Sequence, residues 1–586
     1  MVAIRLQQFQ GMIPAIDDKL LPDNASAWAI NTWLLDGKAT GMRDPRLVHV
    51  LKDPNARSVQ RVPKDYNNPA TLEDTFWLEF PSAHTTYVRS PNTQSTDPRG
   101  YWADGLTPPM MTSRTRVEAN EAVPGSAPPL LLGIPSPVAP PGVAVAVLGT
   151  SAVSTARAYC YTWVSRYSEE SAPSPPSGVF TNPNDTTYDL TLTAPTPAVT
   201  AQRDLTHTRI YRTITSDQGN AEFYFVNEIP ITQLTYHDAV MDNVVVLNEQ
   251  LITQDWAPPP DKLQGMVSMP NGMVIGWMGQ QIWFCEPYQL HAWPFKYMIG
   301  VDYPIIGIGV LGQTAIVCTN SRPYAVTGTH PSQMAQAALP LPEPCTSQGS
   351  IVSTAQGVYY CSPNGLVMVS AGSGVLATGN LIVKDEWQKF LNIKNLRAAM
   401  LLGSYYCFST ADQGVFEPTA FQNDAFEMED FSGTRQGAYI DPNGGPTRFT
   451  LLQHETPTFN VIPDQWTGEV MIIRDGCVYQ IDLTEAQPQG NYFWRSKLYQ
   501  MQNRQNLSAV KCFYALPQGV LQADQTLTFR AFADGVLVKE RVLPASGKMF
   551  RMPTGYTADT YQFELEGNLR VENLQIATSP HELRQV

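Results

Sequence analysis

The stretch "NGMVIGWMGQQIWFCEPYQLHAWP", Asn271 to Pro294, sets Cys285, Glu286 and His291 among three tryptophans, Trp277, Trp283 and Trp293. A thiol beside an imidazole is the material of a nucleophile and its base, and both groups also ligate metals. A metal would need further ligands at suitable spacing, and the neighbouring sequence supplies none. The pattern is instead an apolar strand, a glycine turn and a second apolar strand. Trp283 and Cys285 alternate on one face of the second strand, which Glu286-Pro287 ends. The stretch reads as a wall of packed strands.

Its pattern recurs. "IIGIGVLGQTAIVCTNSRPYAVTG", "GSIVSTAQGVYYCSPNGLVMVSAG", "LRAAMLLGSYYCFST" and "GEVMIIRDGCVYQIDL" repeat the strand, turn and strand. Cys285, Cys318, Cys361, Cys407 and Cys477 fall in the second strands, 33, 43, 46 and 70 residues apart. The intervals of 43 and 46 match a four-stranded propeller blade of about 40–50 residues. Inner propeller strands are apolar on both faces, where cysteine serves as a small hydrophobe. These five thiols are expected reduced and buried in strands. The longest interval contains residues 411–465, with nine Asp/Glu and two Arg. It is expected to be an acidic insertion, a long loop or extended hairpin.

Composition points the same way. Of 586 residues, 43% are apolar and only 16% charged, which suits a chain with large subunit interfaces. Forty-eight prolines and 40 glycines leave room for few long helices. The net charge of −14 disfavours gripping nucleic acid through its phosphates. The first residues lack the basic and apolar regions of a signal peptide, and no apolar run is long enough to span a membrane. The cysteines show no C-x-x-C or zinc-finger spacing.

Along the chain, residues 22–37 are the best helix candidate. Asp23 or Asn24 caps it, Ala25, Trp28, Ala29, Thr32 and Trp33 form one stripe, and Gly37 ends it. Lys38 to Lys64 carries seven Lys/Arg against two Asp, a basic contact patch or a solvated loop. Residues 75–116 read as short strands, followed by a proline-rich linker. "ARAYCYTWVSRYSEESAPSPPSG" then places Tyr159, Tyr161 and Trp163 on one strand face, and "HTRIYRTI" and "AEFYFVNEI" read as paired strands. This region, 124–259, resembles the fibronectin type III family of β-sandwiches. From 486 onward, alternating strands with a tight turn at Asp534-Gly535 read as a separate C-terminal β domain.

No phosphate loop, dinucleotide fingerprint, zinc-protease motif or nucleophile elbow is present. "DPNGGPTRFTLLQHE" begins like a calcium loop at Asp441, but Leu452 stands where a bidentate Glu is required. "EMED", Glu427 to Asp430, offers adjacent carboxylates, but nothing places two of them across one bond.

The phrases "FQGMIPAIDDKLLPDNASAWAINTWLLDGKATGMRDPRLV", "MPNGMVIGWMGQQIWFCEPYQLHAWP" and "GVYYCSPNGLVMVSAG" resemble tail hub, or nozzle, proteins of short-tailed bacteriophages. So does the C-terminal "YFWRSKLYQM…FRMPTGYTADTYQFELEGNLRVENLQIATSPHEL". The resemblance implies a structural virion protein of the tail, assembled in the host cytoplasm, with no catalytic residue, cofactor or metal. It implies an all-β chain: a β-propeller at 260–485, the sandwich at 124–259 as an insertion, the C-terminal domain at 486–586, and 1–123 as helix, attachment arm and first propeller strands. Expected partners are further copies of itself in a homohexameric ring, portal and adaptor proteins, fibres or spikes, and a plug. DNA would pass through without specific binding. Trp28, Trp33, Arg43 and Arg46 are the candidate assembly contacts. Asp424, Glu427, Glu429 and Asp430 are the candidate channel-lining carboxylates. The rival classes are a glycan-binding or glycan-cleaving propeller, which needs carboxylates or arginines clustered at one mouth, and a scaffold whose sandwich binds surface sugars.

Overall fold

Short apolar runs separated by glycine turns fold as antiparallel meanders. The computed structural model describes residues 4–34, 36–65, 74–92, 96–215, 221–370, 372–410, 435–454, 456–481, 488–515 and 525–584. Among them regular structure is nearly all β, with four short α-helices. The chain divides into two compact units.

One unit comprises His84–Val317 and Ala325–Ala337. Its first meander is Thr86–Arg89, Arg99–Ala103, Met110–Ser113 and Leu130–Leu131. Its second is Gly265–Ser268, Val274–Met278, Gln281–Phe284 and Ile299–Gly300. The two share one core, in which Tyr101, Met111 and Leu130 meet Met266, Val274, Cys285 and Trp293. Between them the chain builds two three-stranded sheets, Gly142–Val147 with Thr187–Thr191 and Thr235–Asp238, and Tyr159–Ser165 with Leu205–Thr215 and Ala221–Pro230. Tyr159, Tyr161 and Trp163 pack with Tyr188, Leu190 and Ile210 between them, while Cys160 on the opposite strand face meets Tyr211 and Leu251. The short strands Ser154–Arg157 and Phe180–Pro183 pair with each other as a separate two-stranded sheet. Leu130–Leu131 belongs to the preceding meander, so the sandwich begins later than residue 124. A further meander follows in the chain, Ile305–Leu311, Thr314–Thr319, Tyr324–Thr327 and Ala335–Ala338.

The other unit comprises Met1–Ala83, Cys318–Tyr324 and Ala338–Val586. Val352–Ser353, Val358–Ser362, Gly365–Val369 and Gly374–Leu376 form one meander. Leu396–Leu401, Ser404–Ser409, Arg435–Ile440 and Phe449–His454 form the next. Cys361 and Leu366 of the former pack with Leu396, Tyr405 and Cys407 of the latter. The last comprises Thr458–Pro463, Val470–Arg474 and Cys477–Gln480. Its Val461, Val470 and Ile472 pack on Leu401, Tyr406 and Phe408. Its fourth strand, Arg46–Val50, comes from the start of the chain and lies against Cys477–Gln480.

Three expectations are corrected here. Residues 22–37 are not a helix: Ala25–Ile30 and Thr32–Trp33 are strands. Ala25–Ile30 lies inside an eleven-stranded sheet, parallel to Gln10–Met12 and antiparallel to Tyr492–Ser496. Ala25, Ser26 and Ala29 are wholly buried there, so the small residues that suit a helix fill a central strand instead. The strand breaks at Asn31, which has φ 50° and exchanges side-chain hydrogen bonds of 2.9 and 2.8 Å with the backbone of Gln453.

The segment after 486 is not a separate domain. Tyr492–Ser496, Ala558–Gly567, Leu527–Ala533 and Val536–Val542 continue the same sheet beyond Ala25–Ile30, while Ile4–Leu6 pairs with Arg570–Ala577. The turn at Asp534 and Gly535 has φ of 47° and 80°, as a tight hairpin requires.

From residue 435 onward, the described part of the expected insertion 411–465 is largely regular sheet. Arg435–Ile440, Phe449–His454 and Thr458–Pro463 are strands of two successive meanders. Asp424, Glu427, Glu429 and Asp430 lie outside the described residues.

Candidate functional site

The opening trio does not form a nucleophile and base. Cys285 follows the strand Gln281–Phe284, and its Sγ accepts the Val274 N–H at 3.0 Å. Burial pushes this thiol up to about 12, so no thiolate exists at neutral pH. His291 is driven down to about 3 by burial and by the nearby Arg99 cation, so it stays neutral. Glu286 instead accepts the Tyr297 hydroxyl at 3.0 Å. Trp277 and Trp293 are the buried tryptophans, the latter donating to the Leu290 carbonyl at 2.8 Å. Trp283, expected on the cysteine's face, is only partly buried and sits edge-on to Phe295 at 5.7 Å. The strand buries Ile282 and Phe284 instead.

None of the eight cysteines forms a disulfide. Cys318, Cys361 and Cys407 are buried in strands, while Cys477, at the start of its strand, is half-buried. No cluster of three metal-ligating side chains occurs among the described residues.

The four assembly candidates divide. Trp28 packs edge-on to Phe390 at 5.7 Å, and Trp33 stacks on Tyr439 at 5.2 Å. Both tryptophans are therefore used within their own unit. Arg43 is half-buried, in a bridge with Gln489. Arg46 is exposed on the outer strand Arg46–Val50 and donates to the Gln480 side chain at 2.7 Å.

The basic run from Lys38 to Lys64 is largely spent inside the unit. Lys38 pairs with Glu572 at 3.0 Å and Lys64 with Asp74 at 3.0 Å. Arg57 lies 4.3 Å over the Phe459 ring. Arg61 is fully buried against Asp464.

One described cavity, of about 230 Å³, is lined by Arg495, Leu498, Phe532, Gly535, Thr560, Gln562 and Glu564. Its charges are already matched: Arg495 reaches Glu564 at 2.6 Å, and Arg530 lies 3.6 Å from the same carboxylate. The arrangement braces neighbouring strands.

The exposed apolar surface is more informative. It concentrates at Gly142–Val147 with Leu148, and again from Met241 to Ile252. Composition signalled interfaces, but a continuous apolar run looks the same in sequence whether it is buried or at an edge.

No family model matches this chain, and no curated protein matches it. Among solved structures, AztD of Citrobacter koseri is 11% identical, with 71% of this chain and 99% of that one covered and a TM-score of 0.25. The extracellular domain of a one-component system of B. thetaiotaomicron is 10% identical, with 59% and 45% covered and a TM-score of 0.23. PorZ of Porphyromonas gingivalis is 11% identical, with 54% and 54% covered and a TM-score of 0.18. The chain thus spans less than half of the B. thetaiotaomicron domain and about half of PorZ. None of the three is a phage protein.

Proposed function

We propose that the chain is a structural subunit of a phage virion, a tail hub or nozzle component that surrounds the DNA channel and carries fibres or spikes. The observation that carries this reading is the set of extended phrases, at both ends and in the middle of the chain, that resemble that family. In this reading the meanders are propeller blades and the sandwich is a fibronectin type III-like insertion. The face-to-face stacking of successive meanders supports it. So does the outer strand Arg46–Val50, which pairs the start of the chain with its last meander, as closing a series of blades requires.

The chain's acidity suits a conduit. Each Lys or Arg in a narrow lumen would pair with a phosphate and add a sticking point, whereas carboxylates repel it. Asp424, Glu427, Glu429 and Asp430 remain the candidate channel-lining carboxylates in this reading. Arg46 remains a candidate contact for a neighbouring ring, because it is exposed on an outer strand. Quantitative mass spectrometry of purified particles tests the reading. The chain should be present in a fixed, low multiple of the portal protein, and its absence from particles would contradict the proposal.

A further inference from the structure

Among the described residues, the sheet Gly142–Val147, Thr187–Thr191, Thr235–Asp238 is open on both sides, because its first and last strands each pair only with the middle one. An open edge presents unpaired backbone N–H and C=O groups, and proteins usually guard one with charges or proline. This chain guards another of its edges in that way: Val536–Val542 carries Lys539, Glu540 and Arg541. Gly142–Leu148 carries no charge and no proline. Val145, Val147 and Leu148 are 43%, 62% and 61% exposed. A register shift between Val145 and Val147 is the one irregularity of the strand.

The opposite side is apolar past its edge strand, which itself carries His237 beside Asp189 at 2.7 Å. Past Thr235–Asp238 the chain turns into the helix Asp242–Val245, where Met241, Val244, Leu247 and Ile252 are exposed, the last two at 84% and 75%.

We infer that this sandwich docks a second copy of the chain, the Gly142–Leu148 edge of one lying along the Thr235–Ile252 edge of the next. Strand direction favours the match. Both outer strands are antiparallel to Thr187–Thr191 and so run the same way. Val145, Tyr188 and Asp238 share one level of the sheet. A copy continuing the sheet in register therefore sets its Val147 and Leu148 level with the residues just beyond Asp238, where the exposed Met241 and Val244 begin. Asp242 and Glu249 border this side, and the uncharged edge opposes them with no like charge. Joining unlike edges is a heterologous contact, which closes into a ring when its rotation allows. The inference deepens the proposed hub by naming a contact between its copies, and it rests on that reading only for ring closure.

Sedimentation velocity on the full chain tests it with two surface variants, V145E/V147E and L247E/I252E. A thermal unfolding midpoint close to the parent's shows that each is folded. The parent should associate, and each variant alone should associate roughly a hundredfold more weakly, because a charge would be buried at the junction. Mixed together, the variants should form one-to-one complexes and nothing larger, since each pair keeps one competent junction. Association of V145E/V147E at parental strength would overturn the inference. So would continued self-association of L247E/I252E, which would mean like edges pair, or a parent that stays monomeric. Weakened binding of some other macromolecule with self-association unchanged would also overturn it. Intact rings of V145E/V147E would reject this contact and leave the hub reading standing. Absence of the chain from purified particles would reject the hub reading and leave the contact standing.

Discussion

The pair Arg61–Asp464 joins a residue near the start of the chain to the last meander, and both side chains are buried, at 0% and 1% exposure. Asp464 also accepts the Thr467 hydroxyl at 2.7 Å and the backbone N–H groups of Trp466 and Thr467 at 3.3 Å. Replacing Asp464 by Ala removes the carboxylate that faces a guanidinium water cannot reach. Breaking such a pair costs about 3–5 kcal/mol, although the intact pair contributes far less relative to an apolar replacement. The unit that contains it has about 340 residues. At ~2.1 cal/mol/K of unfolding entropy per residue, its midpoint should fall by about 4–7 °C. Differential scanning calorimetry would measure the shift, with R61M/D464L as the control. The double variant should recover most of the loss, because no unpaired charge remains. A loss below about 1 kcal/mol for Asp464→Ala, or a double variant worse than the single one, would refute the reasoning.

Trp277→Ala should cost roughly 3–5 kcal/mol and Trp283→Ala clearly less, read from denaturant melts, because only the former side chain is fully enclosed. Gly11→Ala should destabilise the N-terminal arm, since a Cβ there would lie 1.8 Å from the Thr447 carbonyl oxygen; increased proteolysis near residue 11 would report it. His291 and His454 are held neutral by burial down to about 3 and about 4, against an ordinary value of 6.5. The unfolded chain therefore binds more protons below pH 6.5. The contribution of these groups is complete above that pH and is lost on acidification towards 3–4, by up to ~1.4 kcal/mol per pH unit for each. H291N should flatten that slope in melts run from pH 7 to 4. Alkylation of the native protein should modify Cys477 well before Cys361 or Cys407, as peptide mass mapping would show.

The sequence exposed what is local. The alternation of Tyr159, Tyr161 and Trp163 marks a strand with two distinct faces, and Asp534-Gly535 marks a hairpin. What it hid is long-range pairing. Ala25–Ile30 has helical spacing, yet its partners lie at 10–12 and 492–496, and the sheet decides its state. The boundary at 486 follows a change of pattern, but strand pairing crosses it. Arg46–Val50 completes a meander whose other strands begin at 458, a match for which neither segment carries a local signal. Of the candidate contacts, large apolar Trp28 and Trp33 suggested docking, and packing against Phe390 and Tyr439 uses them at home. The surface that is left open, Gly142–Leu148, looks in sequence like any buried strand.

Electron microscopy of the purified full chain tests the central claim most directly. A tail hub subunit should give particles with a central hole and rotational symmetry, six-fold on the resemblance to its family. Compact single-chain particles with no hole and no symmetry, at concentrations where virion components assemble, would contradict the account.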